Sequence, residues 1–407
     1  MHPRDTAFPH RQATPSIPAR AAPRFIALDS WRGLSACAVV LQHSVFSINH
    51  HLTNVDAVLH LYLFVDFFFV LSGFVIAANY ENRLTEGFGI GRYMALRMAR
   101  ILPLHAAVLV AFLVFRLLGA IEDIPVREDD GYSVVAFVRQ LLLLDSLGLA
   151  HQANWNHPSW SISAEVFTYL IFALLWQSFP RTWRLIACAL IAALPIVILV
   201  ASPSNMATTH SFGLLRCVYG FSCGTLLWHA YQALERTNLR PGVIVATLAE
   251  LVLLASILAF IKVVGSTGPS VLAPLAFAPL VLTFAFERGL VSRALRLGPF
   301  ALLGALSYSI YMVHVLILEV FQGCMLALDA SRNALMAPSQ RMPDRMAFGV
   351  EPWMGDVAAL SLFALVIAVS WLTYTLIERP AQAWGRRRIA AAFAWKPGSA
   401  IHGSAHG

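Results

Sequence analysis

Charge is what this sequence has least of. Asp, Glu, Lys and Arg make up 13% of its 407 residues against 58% hydrophobic, with a mean hydropathy of +0.67. A soluble globular domain carries about a quarter charged residues, so this balance excludes one. The formal net charge of +7 would suggest nucleic acid in a soluble chain. In one this apolar it is a marker of membrane orientation, and no nucleic-acid partner is expected. Cysteine is also scarce: Cys37, Cys188, Cys217, Cys223 and Cys324 sit in or beside apolar runs with no CxxC spacing. That pattern excludes a metal site or a disulfide framework and leaves small buried hydrophobes. No GxSxG, HExxH or P-loop is present, which removes the serine-hydrolase elbow, the zinc protease helix and the nucleotide cradle. Residues 1–24 are rich in Pro and Arg but lack an apolar core, which excludes a cleaved signal peptide and reads as a disordered cytosolic tail. There is no repeat of fixed period.

What is present is a succession of apolar runs near the roughly 20 residues a bilayer requires. They lie near 26–48, 58–78, 101–119, 161–178, 184–202, 211–230, 242–264, 270–286, 301–322 and 356–377. The fold class is therefore an all-α polytopic membrane protein with about ten transmembrane helices. An eleventh candidate, 132–150, carries Arg139 and Asp145. If it spanned, every later loop would change sides and the Arg-rich "FPRTWR" and "ERGLVSRALRLG" would lie outside. With ten spans, twenty Arg and Lys residues fall on one face, and only Arg127, Arg139, Arg332, Arg341 and Arg345 on the other. That bias places both termini in the cytosol. It makes 132–150 an outer or re-entrant amphipathic piece, and 386–407 a second, basic and disordered cytosolic tail.

Several polar side chains lie inside these runs, where they are costly and mark a site by default. Arg32 and His43 are eleven residues apart, about three helical turns, so they share a face about 16 Å apart along the axis. Counted from the span ends, His43, Asp66, Glu165, Arg216 and His314 all fall in the outer half or midplane, whereas Arg32 alone sits in the inner third. Each also has a bland reading. The histidines would be interhelical hydrogen-bonding groups, Glu165 an ion-paired residue with Arg216 as its partner, and Arg97 and Arg100 two more positive-inside charges. Gathering at one depth argues for chemistry instead. A histidine can take the proton of an attacking hydroxyl, a carboxylate can orient that base and an arginine can steady a developing oxyanion, which suits acyl transfer to an alcohol without a metal. Glu250 and Lys262, in the seventh run, find no role in this reading.

The motifs resemble those of the membrane-bound acyltransferase family 3, bacterial O-acyltransferases of surface sugars and related acceptors, from about residue 25 to 385. "ALDSWRGLSACAVVLQH" is similar to the family's opening helix, and "VDFFFVLSGFVIA" to its second. "YMALRMARILPLH" resembles the Arg-x-x-Arg loop before a Pro, and "HPSWSISAEVFTYL" the Trp-Ser-Leu-x-x-Glu pattern. "GALSYSIYMVH" and "TYTLIERPAQAW" look like the late Ser-Tyr-x-x-Tyr-x-x-His helix and the closing Glu-x-Pro. Ala164 and Val166 depart from the commoner residues and put pocket shape in doubt. The resemblance implies a ten-helix core in the bacterial inner membrane and a cytosolic acyl-CoA donor, acetyl-CoA first, with no permanently bound cofactor. It also implies a sugar or glycolipid acceptor on the far side. Arg97, Arg100 and Arg32 would pair with the donor's phosphates, and His43 would be general base or transient acyl carrier. Glu165, Arg32 and His314 would complete the catalytic set, with Asp66, Trp160, Ser161, Arg216, Tyr308 and Tyr311 shaping the acceptor pocket. Some members carry an esterase-like domain after the last helix, so here such a partner, or a glycan-assembly partner, would be a separate protein. The segments 120–160 and 323–355 are long enough to cover an acceptor, and Trp155, Trp160 and Tyr132 lean mildly toward carbohydrate. The rival reading is a transporter or flippase of lipid-linked glycans.

Overall fold

A computed structural model describes residues 24–121, 132–149, 155–237, 240–329 and 334–392. The expected N-terminal tail, Arg127, Arg332 and the chain beyond 392 lie outside them. The helices are α1 (Ile26–Ser44), α2 (Asp56–Leu59), α3 (Phe64–Thr85), α4 (Ile90–Ile121), α5 (Val134–Leu141), α6 (Ser159–Ser178) and α7 (Trp183–Ala201). They continue with α8 (Gly213–Arg236), α9 (Val243–Val264), α10 (Ala273–Ala285), α11 (Leu290–Leu295), α12 (Gly298–Asp329), α13 (Pro352–Thr373) and α14 (Arg379–Ala392). Two short antiparallel strands, β1 (Met336–Pro338) and β2 (Met346–Phe348), follow α12.

Among the described residues, eight helices are long and apolar enough to cross a membrane. All ten apolar runs form helices, but α1 and α8 fall short of that apolarity despite their 19 and 24 residues. The reason is composition: α1 carries Asp29, Arg32, Gln42 and His43, and α8 carries Arg216, His229 and Gln232. α5 has eight residues, about 12 Å of helix, and cannot span a hydrocarbon core of about 30 Å. Two sequence expectations change. The Arg-x-x-Arg segment is not a loop but part of α4, which runs for 32 residues through Pro103. A proline lacks the N–H that would bond four residues back, so one carbonyl loses its partner while the helix continues. The basic C-terminal segment begins as helix, since α14 extends to Ala392 after a π-helical turn at Tyr374–Glu378.

Small residues set the closest helix contacts. A Cβ on Gly33 would sit 2.4 Å from the Leu303 carbonyl carbon, and one on Gly304 would sit 2.4 Å from the Asp29 oxygen, so α1 and α12 touch backbone to backbone. Gly33 opposes Gly304 while His43 opposes His314, so the two helices run parallel. The same holds for α3 and α8. Asp66 meets Arg216 and Gly73 meets Phe221, and a Cβ on Gly224 would lie 1.9 Å from the Val70 oxygen. Gly220 and Gly224 form the small-xxx-small spacing that lets membrane helices approach closely when lipid supplies no hydrophobic drive.

The termini of the bundle are closed by polar ties. Glu250, unexplained in sequence, accepts from the N–H groups of Gly289 and Val291 at 3.0 Å and from Ser292 Oγ at 2.5 Å, capping the start of α11 from the neighbouring α9. Glu287 accepts from Ala27 N–H at 2.7 Å and caps α1 in the same way. Lys262 is exposed. At the other end, β2 hydrogen-bonds to Ser47 and Asn49 just past α1, while the Arg341 Nε donates to the Thr53 carbonyl at 2.6 Å. Asn156 donates to the Met312 carbonyl at 3.0 Å, and Gln140 donates to Asp145 at 2.8 Å. Segments 132–149 and 334–351 thus cover the end of the bundle toward which α1 and α12 point.

Gly224→Ala is expected to destabilise the folded protein by about 1–3 kcal/mol through overpacking. Gly89→Ala, with open space around it, should have no such effect. Thermal unfolding midpoints of the two variants in detergent, compared with wild type, check this contrast.

Candidate active site

Two cavities reach into the bundle, with about 570 and 490 Å³ of empty space including their open mouths. The first is lined by Arg32 from α1, Ser72 from α3, Arg97 and Arg100 from α4, Glu165 and Tyr169 from α6, and Tyr308 from α12. The second shares Arg32, Ser72, Glu165 and Tyr308 and extends to Phe68, Ser161, Ser307 and Tyr311. Those four shared residues stand at the junction.

The first cavity is strongly positive. It holds three guanidinium groups against the single carboxylate of Glu165. Arg32 has only a loose pairing with Asp29 at 4.0 Å. Arg97 donates to the Tyr80 hydroxyl at 3.0 Å and lies 5.0 Å from that ring. Arg100 has no carboxylate within ion-pair distance among the described residues. Glu165 is held by two hydroxyls on one oxygen, Tyr169 at 2.5 Å and Ser72 from the adjacent helix. The closing Glu-x-Pro motif brings a further carboxylate, Glu378, to the wall behind: buried on the π-helical turn, it accepts from Ser309 at 2.8 Å and Gln382 at 3.0 Å.

Asp66 and Arg216 make a separate, closed unit. Arg216 donates from Nε at 2.8 Å and from Nη2 at 2.7 Å to the two oxygens of Asp66, while Nη1 donates to the Thr208 carbonyl and Nη2 also reaches the Tyr62 carbonyl. Trp160 stacks on this guanidinium at 5.3 Å and packs against Gly213. The expectation that Arg216 pairs with Glu165 is therefore wrong. The carboxylate one α-helical turn or so inside α3 is nearer in the parallel register of α3 and α8. Asp66, Arg216 and Trp160 line neither cavity.

The histidines form a third group toward the covered end. The His43 and His314 rings are 4.9 Å apart, and His157 lies 6.1 Å from His43 and 5.9 Å from His210. His43 Nδ1–H donates to the Val39 carbonyl at 2.9 Å, and His314 Nδ1–H to the Ile310 carbonyl at 3.2 Å. A backbone carbonyl can only accept, so Nδ1 carries the hydrogen in both rings, and the neutral form of each has its lone pair on Nε2. His314 Nε2 is buried with no hydrogen-bond partner. His210 lies in the loop before α8, where burial pushes its ring below the ordinary histidine range. Among the described residues, no group of His, Cys, Asp and Glu could hold a metal ion.

Of the residues singled out in sequence, Arg32, Arg97, Arg100, Glu165 and Tyr308 share the first cavity, and Ser161 and Tyr311 line the second. His43 and His314 adjoin each other beyond it. The expectation that Glu165 belongs with the histidines and Arg32 stands apart is corrected: Arg32 and Glu165 share both cavities. Sequence reasoning missed Ser72, Tyr169, His157 and Glu378, although each lies in a motif already quoted. Trp155 is buried and boxed by Tyr132 and Phe137 at 5.5 and 5.1 Å. At 5% exposure it offers no sugar platform.

The family described as an acyltransferase domain matches residues 25–375. The chain belongs to the membrane-bound acyltransferase family 3. A curated relative, "Protein 2 in picA locus" of Rhizobium radiobacter, is 32% identical over 161 residues, covering 37% of this chain and 81% of that protein. No solved structure matches at a significant level. This acyltransferase is an α-helical, multi-pass membrane enzyme, and its polar interior is where the transfer chemistry has to be sought.

Truncating one member of the buried pair leaves an uncompensated charge. Asp66→Asn is expected to cost about 3–5 kcal/mol, while the apolar double replacement Asp66→Leu with Arg216→Met recovers most of that loss. Unfolding midpoints of the purified variants distinguish the two.

Proposed function

We propose that this protein moves an acyl group, acetyl in the first instance, from cytosolic acyl-CoA to a hydroxyl of an exported or cell-surface acceptor. A polysaccharide or glycolipid sugar is the acceptor class the family resemblance favours. Ten spans in a bacterial inner membrane, with both termini cytosolic, are the topology we adopt. The helix directions support it. In a ten-span count α1 and α12 are first and ninth, α3 and α8 second and sixth, and helices of equal parity must run the same way, as both pairs do.

The observation that carries the reading is the charge imbalance of the first cavity: three arginines against the lining carboxylate of Glu165 and that of Glu378 behind them. Planar guanidinium groups bind phosphate oxygens bidentately, so Arg97, Arg100 and Arg32 suit the phosphates of a coenzyme A donor. Family membership argues against the flippase alternative.

In the reaction, the acceptor oxygen attacks the thioester carbonyl, His43 takes its proton at Nε2, and the carbon–sulfur bond breaks to release the thiolate. Arg32 steadies the oxyanion. An acyl group carried briefly on His43 satisfies the same balance. The bond to Val39 supports either role, because it orients the ring and leaves Nε2 free.

His43→Ala should abolish transfer while leaving acyl-CoA affinity intact. Arg97→Ala with Arg100→Ala should instead weaken acyl-CoA binding by 10- to 100-fold, about 1.4 kcal/mol per tenfold. Calorimetric titration of acetyl-CoA into protein in nanodiscs measures the second effect. Mass spectrometry of surface polysaccharide and lipid from cells carrying wild type or His43→Ala measures the first. An acetyl-sized mass restored by both forms would overturn the role of His43, and unchanged affinity in the double variant would overturn the phosphate site.

A further inference from the structure

Transfer from a thioester to an alcohol moves a proton from oxygen to sulfur. On the reading above, that proton starts at His43 and ends on a thiolate in the arginine-lined cavity, yet His43 lines neither cavity. Some group has to join the two. The cavity hydroxyls can be sorted by what they already bind. Ser72 and Tyr169 donate to Glu165, whose carboxylate gives nothing back. Tyr308 donates to the Ile101 carbonyl at 2.7 Å. Ser307 is an aliphatic alcohol and a far weaker acid than a phenol.

Tyr311 differs on each count. It lines the far wall of the second cavity, and its hydroxyl pairs with Ser161 at 2.8 Å, a contact in which either oxygen can donate. Ser161 has one hydrogen and two acceptors for it, the Pro158 carbonyl at 3.0 Å and the Tyr311 oxygen, and when it donates to Tyr311 the Tyr311 hydrogen is released to turn toward the cavity. Its ring is held edge-on to Phe68 at 5.8 Å and lies 5.9 Å from the His314 ring, one turn along α12. His314 in turn adjoins His43.

The geometry points to Tyr311 as the acid that protonates the departing coenzyme A thiolate, with Ser161 as the residue that positions its hydroxyl. As the acceptor oxygen bonds to the acyl carbon, its proton passes to His43, and the carbon–sulfur bond breaks with its electron pair on sulfur. The thiolate takes the Tyr311 proton. The phenolate then recovers a proton from the His43–His314 pair, so the acceptor's proton ends on sulfur and every side chain returns to its starting state. No further reactant is needed.

The test uses the full chain in nanodiscs, with water as acceptor, and two donors: acetyl-CoA and the acetyl thioester of 4-nitrothiophenol. The second donor's thiolate is a weak base and leaves without a proton. Tyr311→Phe should lower kcat for acetyl-CoA by about 100-fold or more, in the range general-acid catalysis supplies, with KM unchanged. The same variant should turn over the nitrothiophenyl ester at close to the wild-type rate. Ser161→Ala should give a smaller version of this pattern, and Ser161→Thr, which keeps the hydroxyl, should restore acetyl-CoA turnover. Equal loss on both donors would reduce Tyr311 to a packing residue, and wild-type turnover of acetyl-CoA by Tyr311→Phe would dismiss it. If wild type itself releases no coenzyme A, the donor assignment fails instead, which separates the two ideas.

Discussion

Every charge inside this bundle sits where water cannot screen it, so each must be neutralised locally or held ready for something that will neutralise it. Asp66 and Arg216 show the first solution. Their bidentate bond, with two backbone carbonyls beside it, leaves nothing for a ligand to answer. Arg32, Arg97 and Arg100 show the second, since Glu165 and Glu378 together balance only part of their charge. The contrast explains why one group of buried charges lines a cavity and the other lies in solid packing. A cavity beside unanswered positive charge is a place for an anion, and a closed pair invites its neighbours to pack against it, as Trp160 does.

The parallel pairing of α1 with α12, and of α3 with α8, turns that electrostatic division into geometry. Glycines at the contacts bring backbones together, which fixes the axial register of side chains on facing helices. Tyr308, Tyr311 and His314 then form a ladder up α12 that begins at the arginines and ends at the histidines. The two polar centres are joined by one column of α12.

Much of this was legible in the residues. The apolar runs located the long helices, and the motif spacing named most of the cavity-lining side chains. Two helices, α1 and α8, are less apolar than the rest because they carry the polar residues of the interior. What could not be read was pairing. Depth along a helix says nothing about azimuth, so Glu165 looked like a partner for Arg216 and a companion of His43, whereas its side chain turns toward Ser72 and Arg32. Glu250 was opaque for a related reason: its partners are the N–H groups of a short helix about forty residues away, a contact with no sequence signature. The continuation of α4 through Pro103 was hidden because a proline normally marks a boundary.

The eleven-residue interval on α1 has a consequence for how this chain can vary. Each residue in a helix turns the next by about 100°. Adding or deleting one between Arg32 and His43 would swing one of the two off the shared face and also shift the glycine contact with α12. Outside Gly33, whose Cβ would strike the Leu303 backbone, substitutions within the interval leave that geometry alone. The segment is therefore tolerant of spelling and intolerant of length, the opposite of the loops that cover the bundle's end.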